Sequence, residues 1–143
     1  MTIQAILKNK GAEVVAIDAA HPVVEAVRIM DKRKIGALVV TGQGEACSGI
    51  FTERDVMRAL ARHGTHIMDE AVAKHMTDRP QSILPDTSVE EAMEIMTEKR
   101  FRHLPVIADT TLCGIVSIGD LVNYRIHQTE QEANALKEYI ATG

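Results

Sequence analysis

Apolar positions along this chain change period in a fixed order, and the order occurs twice. A short apolar run, Val14-Val15-Ala16-Ile17, is followed by a turn at Pro22 and then by Val23, Ala26, Val27 and Met30 at helical spacing. Two β-branched runs come next, Ala37–Thr41 and Gly49–Thr52, joined across Gly42-Gln43-Gly44. A second helix is predicted over Asp55–His63. The second pass runs Gln81-Ser82-Ile83, a turn at Pro85-Asp86, and a helix with Val89, Ala92, Met93 and Met96. Thr87-Ser88 and the acidic pair Glu90-Glu91 mark that helix's start. Strands Leu104–Ile107 and Leu112–Ser117 follow, turning at Asp109-Thr110-Thr111, with a closing helix from Asp120 onward.

Superposing the two passes gives a shift of 66 residues: Ile17 on Ile83, Val23 on Val89, Ala26 on Ala92, Met30 on Met96, Leu38 on Leu104 and Val40 on Val106. One extra loop residue in the first copy changes the shift to 65, which aligns Gly49 with Gly114, Ile50 with Ile115, Thr52 with Ser117 and Asp55 with Asp120. The unit is β-α-β-β-α and is short of core by itself. The expected fold is therefore α+β, with two repeats packed sheet to sheet so that both apolar faces are buried. The expected limits are 8–64 for the first repeat, 65–79 for a linker with a short helix near Asp69–His75, 80–127 for the second repeat and 128–143 for a helical tail bearing Leu136 and Ile140. Ile3–Leu7 reads as a short leading helix.

Composition narrows the function classes. The chain has 143 residues, 45% hydrophobic and 25% charged, with a formal net charge of −4. That profile is globular rather than disordered. Scattered cations and only 3% aromatic residues argue against a nucleic-acid face. No signal-peptide pattern or membrane-length apolar run occurs, so cytoplasmic residence is expected, with Cys47 and Cys113 as reduced, buried structural thiols. His63, His66 and His75 do not have metal-site spacing, and they read as linker surface residues. No triad, P-loop or carboxylate pair argues for an enzyme.

Gly49-Ile50-Phe51-Thr52-Glu53-Arg54-Asp55 and Gly114-Ile115-Val116-Ser117-Ile118-Gly119-Asp120 resemble the G-apolar-apolar-[S/T]-x-x-D ending of the CBS domain. Arg102-His103-Leu104-Pro105-Val106 and Val89–Met96 are similar to the family's strand entry and first helix. The resemblance spans about 13–127. It implies a stand-alone pair with pseudo-two-fold symmetry and two clefts. It also implies a regulatory, energy-sensing role, with AMP, ADP, ATP, S-adenosylmethionine or NADH as ligand (AMP first) and no required cofactor. A homodimer of pairs is implied as well, with an unnamed downstream protein; the sequence offers the helices Val23–Lys32 and Val89–Lys99 or their partners as its face without choosing between them. Within that frame Asp55 and Asp120 are expected on a ribose, their carboxylates accepting from its hydroxyls, or else as plain helix caps. Thr52 and Ser117 supply hydroxyls, and Arg54, Arg102 and His103 are phosphate candidates. Ile17, Ile83 and the Pro85 turn are candidates for an apolar adenine slot. Gly119 replaces Arg54 in the second copy, and Gly36-Ala37 replaces Arg102-His103 in the first, so the two clefts are expected to differ. The alternative is a ligand-free dimerisation or protein-interaction module.

Overall fold

The computed structural model describes residues 1–11, 13–42 and 44–142; Ala12, Gln43, on which the expected turn Gly42-Gln43-Gly44 is centred, and Gly143 lie outside them. After the leading helix α1 (Ile3–Lys10), the first repeat comprises β1 (Ala16–Asp18), α2 (Val23–Arg33), β2 (Ala37–Gly42), β3 (Glu45–Thr52) and α3 (Glu53–His63). The linker follows, with two 3₁₀ turns, Thr65–Asp69 and Val72–Lys74, in place of the single short helix expected near Asp69–His75, and then β4 (Thr77–Asp78). Of the linker histidines, His63 and His66 are exposed as expected, whereas His75 is tucked against the fold, 3.7 Å from Glu70. The second repeat comprises α4 (Val89–Lys99), β5 (His103–Ala108), β6 (Thr111–Ser117) and the 25-residue α5 (Ile118–Thr142).

Strand register reproduces the repeat. In the first sheet β1 is parallel to β2 with Ile17 opposite Val40, and β2 is antiparallel to β3 with Val40 opposite Gly49 and Ala37 opposite Thr52. In the second, Val106 lies opposite Gly114 and His103 opposite Ser117. Ile83 bridges Val106 in parallel, as Ile17 does Val40, but only as a single bridge, so Gln81-Ser82-Ile83 is not a full strand. Ile83 still exchanges backbone hydrogen bonds with β5, donating to Pro105 O and accepting from Ile107 N. The β5–β6 turn has φ of 48° at Asp109 and 65° at Thr110, the pair of positive values that a two-residue hairpin of matching twist requires.

Each repeat has its own core, and each core is completed from outside its own strand-helix set. Ile67 and Val72 of the linker join Ile17, Leu38, Val40 and Phe51 in the first. Ile3, Ile6 and Leu7 of α1 join Ile83, Leu104, Val106 and Val116 in the second. The segment preceding either repeat thus packs on the other, as a two-fold relation between the repeats demands. The shared glycine of the motif is explained by this packing. A Cβ on Gly49 would lie 2.6 Å from Met76 Sδ and 2.7 Å from Thr77 O, and one on Gly114 would lie 2.8 Å from Leu7 Cδ2. β3 and β6 touch, bringing the two sheets together. Among the described residues no helix is long and apolar enough to cross a membrane.

Candidate functional site

Two clefts flank the junction of the repeats, and each draws on both. The helix start after β3 opens the first. Thr52 is the N-cap of α3: its hydroxyl accepts from Asp55 N at 3.2 Å, while Asp55 Oδ2 accepts from Thr52 N at 3.0 Å. This is a reciprocal capping box, which satisfies two otherwise orphaned backbone donors. Thr77, on β4, donates its hydroxyl to Asp55 Oδ1 at 3.3 Å, and Arg58 stands 3.8 Å from the same oxygen. Asp55 is 6% exposed, so its carboxylate is oriented before any ligand arrives.

Ser117 and Asp120 repeat this geometry at the start of α5, with Ser117 N donating to Asp120 Oδ2 at 2.8 Å and Asp120 N to Ser117 Oγ at 3.1 Å. Asp55 and Asp120 are therefore not the helix caps themselves but the third-position partners of a capping Thr52 and Ser117, the helices beginning at Glu53 and Ile118 rather than at the aspartates, and each carboxylate also faces a cleft. The helix starts are fixed to the strand entries by matching bonds, Glu53 N to Gly36 O at 3.1 Å and Ile118 N to Arg102 O at 2.8 Å.

The first cleft encloses about 400 Å³. From the first repeat it takes Gly36, Ile50, Thr52, Glu53, Arg54, Asp55 and Arg58, and from the second Lys99, Arg100, Phe101, Arg102 and His103, with Thr77, Pro80 and Gln81 between. Five cationic side chains face two acidic ones there. Arg54 Nη1 also donates to Arg100 O at 3.3 Å, joining α3 to the end of α4. The second cleft, about 480 Å³, is built from Lys10, Glu13, Val15, Ile115, Ser117 and Asp120 together with Arg33, Lys34, Ile35, Gly36 and Ala37. His103 lines both.

Four of the charged side chains of the second cleft are paired with one another. Lys10 Nζ donates to Asp120 Oδ2 at 2.7 Å and to Ile115 O at 2.9 Å, and Arg33 pairs with Glu13 at 3.3 Å. Burial would raise the Asp120 carboxyl, but the hydrogen bond and charge of Lys10 and the bonds from Ser117 outweigh it and hold the group below the usual aspartate value. Burial pushes His103 below the ordinary histidine value, against the opposing pull of Asp120 and Glu53, and Lys10 and Arg102 depress it further. The imidazole is neutral at pH 7, so Arg102 rather than His103 supplies positive charge from that pair.

Of the residues read from the sequence, Thr52, Arg54, Asp55, Arg102 and His103 meet in the first cleft, and Ser117, Asp120 and again His103 in the second. Arg102-His103 and Asp55 belong to different repeats yet share one cleft. The Arg102-His103 pair that the first copy lacks is thus supplied to its cleft by the other repeat. Ile17 and Ile83 are each 5% exposed and lie in the two cores, since alternate residues of a strand face opposite sides; neither lines a cleft. Pro85 accepts from Gln4 N and ties α1 to the second repeat, away from both clefts. Apolar surface in the clefts comes from Ile50 and Phe101 in one and from Val15, Ile35 and Ile115 in the other. Cys47 and Cys113 are half-buried rather than buried, each with its thiol toward a nearby carbonyl.

Sequence reasoning missed Arg58, Thr77, Lys99, Arg100, Lys34 and Lys10. Lys34 and Arg100 carried a signal. They are 66 residues apart, and both end their helices in the left-handed region, at φ 57° and 58°, where glycine is the usual occupant. A basic residue stands at both such ends, Arg100 on the first cleft and Lys34 on the second.

Residues 10–62 and 70–127 match the CBS domain family. The CBS domain-containing protein CBSX3, mitochondrial, of Arabidopsis thaliana is 37% identical over 99% of this chain and 73% of its own length. The crystal structure of the CBS-domain containing protein ATU1752 from Agrobacterium tumefaciens is 38% identical with a TM-score of 0.84, over 87% of this chain and 99% of that one. Two more distant structures share the fold. The CBS domain pair of MJ0100 was solved with 5′-methylthioadenosine and S-adenosyl-L-methionine, at TM-score 0.78 and 21% identity over 90% of this chain and 98% of that one. CBSX2 was solved with AMP, at 0.72 and 22% over the same shares.

Proposed function

The chain belongs to the CBS-domain family as a tandem pair, and from that premise we propose that it is a non-catalytic regulatory module whose first cleft binds an adenosine-type ligand. AMP is the first compound to try, with ADP, ATP, S-adenosylmethionine and NADH beside it. One observation carries the reading: the acid-bearing cap of one repeat, Thr52 and Asp55, faces the basic turn of the other, Arg100 to His103, across a single cleft. A pre-oriented carboxylate suits a vicinal diol, and the start of α3 together with Arg54, Arg100 and Arg102 suits a phosphate or another anionic group. MJ0100 and CBSX2, with their adenosine-type ligands, lend support through the shared fold alone. The second cleft, with Asp120 held by Lys10, is the weaker site. The groove between α2 and α3, lined by Val27, Met30, Val56, Met57 and Leu60, supports the homodimer of pairs. The signal passes to a separate protein through that assembly.

Thermal melting and isothermal calorimetry test this. At a hundred times its Kd the ligand stabilises the fold by about 2.7 kcal/mol, with one tight site per chain. Arg102→Ala and Arg100→Ala, on the second repeat, weaken the same site as Arg54→Ala on the first. If none of the five compounds shifts the melting curve at millimolar concentration, the binding reading fails and the ligand-free interaction module takes its place.

A further inference from the structure

Among the described residues, nothing covers the last part of α5. Residues 129–142 are all exposed, and 128 is half-exposed, which leaves about 22 Å of helix standing free of the two cores. A helix of that length is marginal in water unless its apolar face is covered. Six of its apolar and small residues form one seam, with Tyr139 flanking it: Val122, Ile126, Thr129, Ala133, Leu136 and Ile140 are spaced 4, 3, 4, 3 and 4 residues apart. That is the 3.5-residue period of a coiled coil rather than the broader stripe of a core-facing helix. The four large members are open along the whole seam, with Val122 39%, Ile126 53%, Leu136 59% and Ile140 68% exposed. Thr129 donates its hydroxyl to Arg125 O at 3.0 Å, so its polar group is already satisfied within the helix.

We propose that α5 pairs through this seam, in parallel and in register, with α5 of a second copy of the chain. Taking Ile126, Ala133 and Ile140 as a positions puts Val122, Thr129 and Leu136 at d. Ile126 and Ile140 at a with Leu136 at d follow the pattern that favours two parallel strands. The flanking charges agree. In parallel pairing each g residue meets the e residue five further along the partner, which sets Glu132 against Lys137 and Arg125 against Glu130, both opposite in sign. Arg125 also binds Glu90 of its own chain, which anchors the base of the seam to α4. An antiparallel pairing would bring together only Glu130 and Lys137, and would set Ile140 against Thr129. This surface is separate from the α2–α3 groove and does not depend on the ligand reading.

Sedimentation velocity of the full chain over a concentration series tests the seam. The chain is expected to show an association step that Leu136→Glu with Ile140→Glu weakens at least tenfold, with no loss of the two repeats' cooperative melting. Glu132→Lys alone weakens the same step, and adding Lys137→Glu restores it, because the pair is then reversed in sign. Assembly through the α2–α3 groove persists in every variant, so only the tail-dependent step is read. Association unchanged by the Leu136/Ile140 double variant, or absent from the natural chain, overturns the proposal. A charge reversal that fails to restore association overturns the parallel arrangement, because in an antiparallel pair Lys137→Glu sets a second carboxylate against Glu130.

Discussion

At the scale of single residues, two equivalent aspartates have different neighbours. Asp55 is held by hydroxyls and backbone, with Arg58 no closer than 3.8 Å, whereas Asp120 has Lys10 on it at 2.7 Å. Lys10→Ala is therefore expected to free Asp120, and calorimetry with AMP should show the number of sites per chain rise from one toward two. The same contact has a pH signature. Because the Asp120 carboxyl lies below its ordinary value of 3.8, it contributes stability that is present above that value and lost as the pH falls through the lower folded-state value. Acid unfolding of Lys10→Ala followed by circular dichroism should show a shallower loss in that range. His103 acts in a different window. Its folded-state value lies below the usual 6.5, so charging it opposes folding, and stability declines as the pH drops from about 6.5 through the folded value. His103→Gln should flatten that decline in a pH series of denaturant melts.

Elements are defined here by their ends. The capping boxes at Thr52 and Ser117 fix both where α3 and α5 begin and where the acidic side chains point. Thr52→Ala is expected to cost ~1 kcal/mol by chemical denaturation, and to weaken ligand binding as well, because Asp55 loses a partner that orients it. Thr52→Ser should recover both. β3 is constrained in another way. Gly49→Val would drive a branched side chain into Met76 and the backbone of β4, separating the linker from the first core. A loss of more than about 2 kcal/mol is expected, in the range of overpacked sites.

For the whole molecule, the pairing of repeats is the source of both stability and asymmetry. Leu104 is fully buried in the second core, and Leu104→Ala should cost about 2–5 kcal/mol. Because α1 and the linker each complete a repeat's core from outside it, the two repeats are expected to melt in one transition by calorimetry. The same crossing puts the cations of the second repeat's α4–β5 turn beside the cap of the first, and leaves Gly36 and Ala37 beside the cap of the second.

The repeat and its β-α-β-β-α order follow from local periodicity and from two shifts of 66 and 65 residues, and equivalent residues hold equivalent places in the strand pairings; the register of each hairpin, with its irregularity after Val40 and after Val106, was set by the folded sheets. Thr52, Asp55, Ser117 and Asp120 were legible because the G-apolar-apolar-[S/T]-x-x-D ending is written within seven consecutive residues and occurs twice; that each pair closes a capping box was visible only in the fold. Cleft membership was not local. Arg102 joins Asp55 only through the packing of the repeats, and Ile17 and Ile83, apolar enough for an adenine slot, were claimed by the cores instead. Lys10 reaches a carboxylate 110 residues away because α1 folds onto the far repeat. Chain order sets what each strand and helix is, but free energy of burial between distant surfaces sets which charges meet, and that choice exists only in three dimensions.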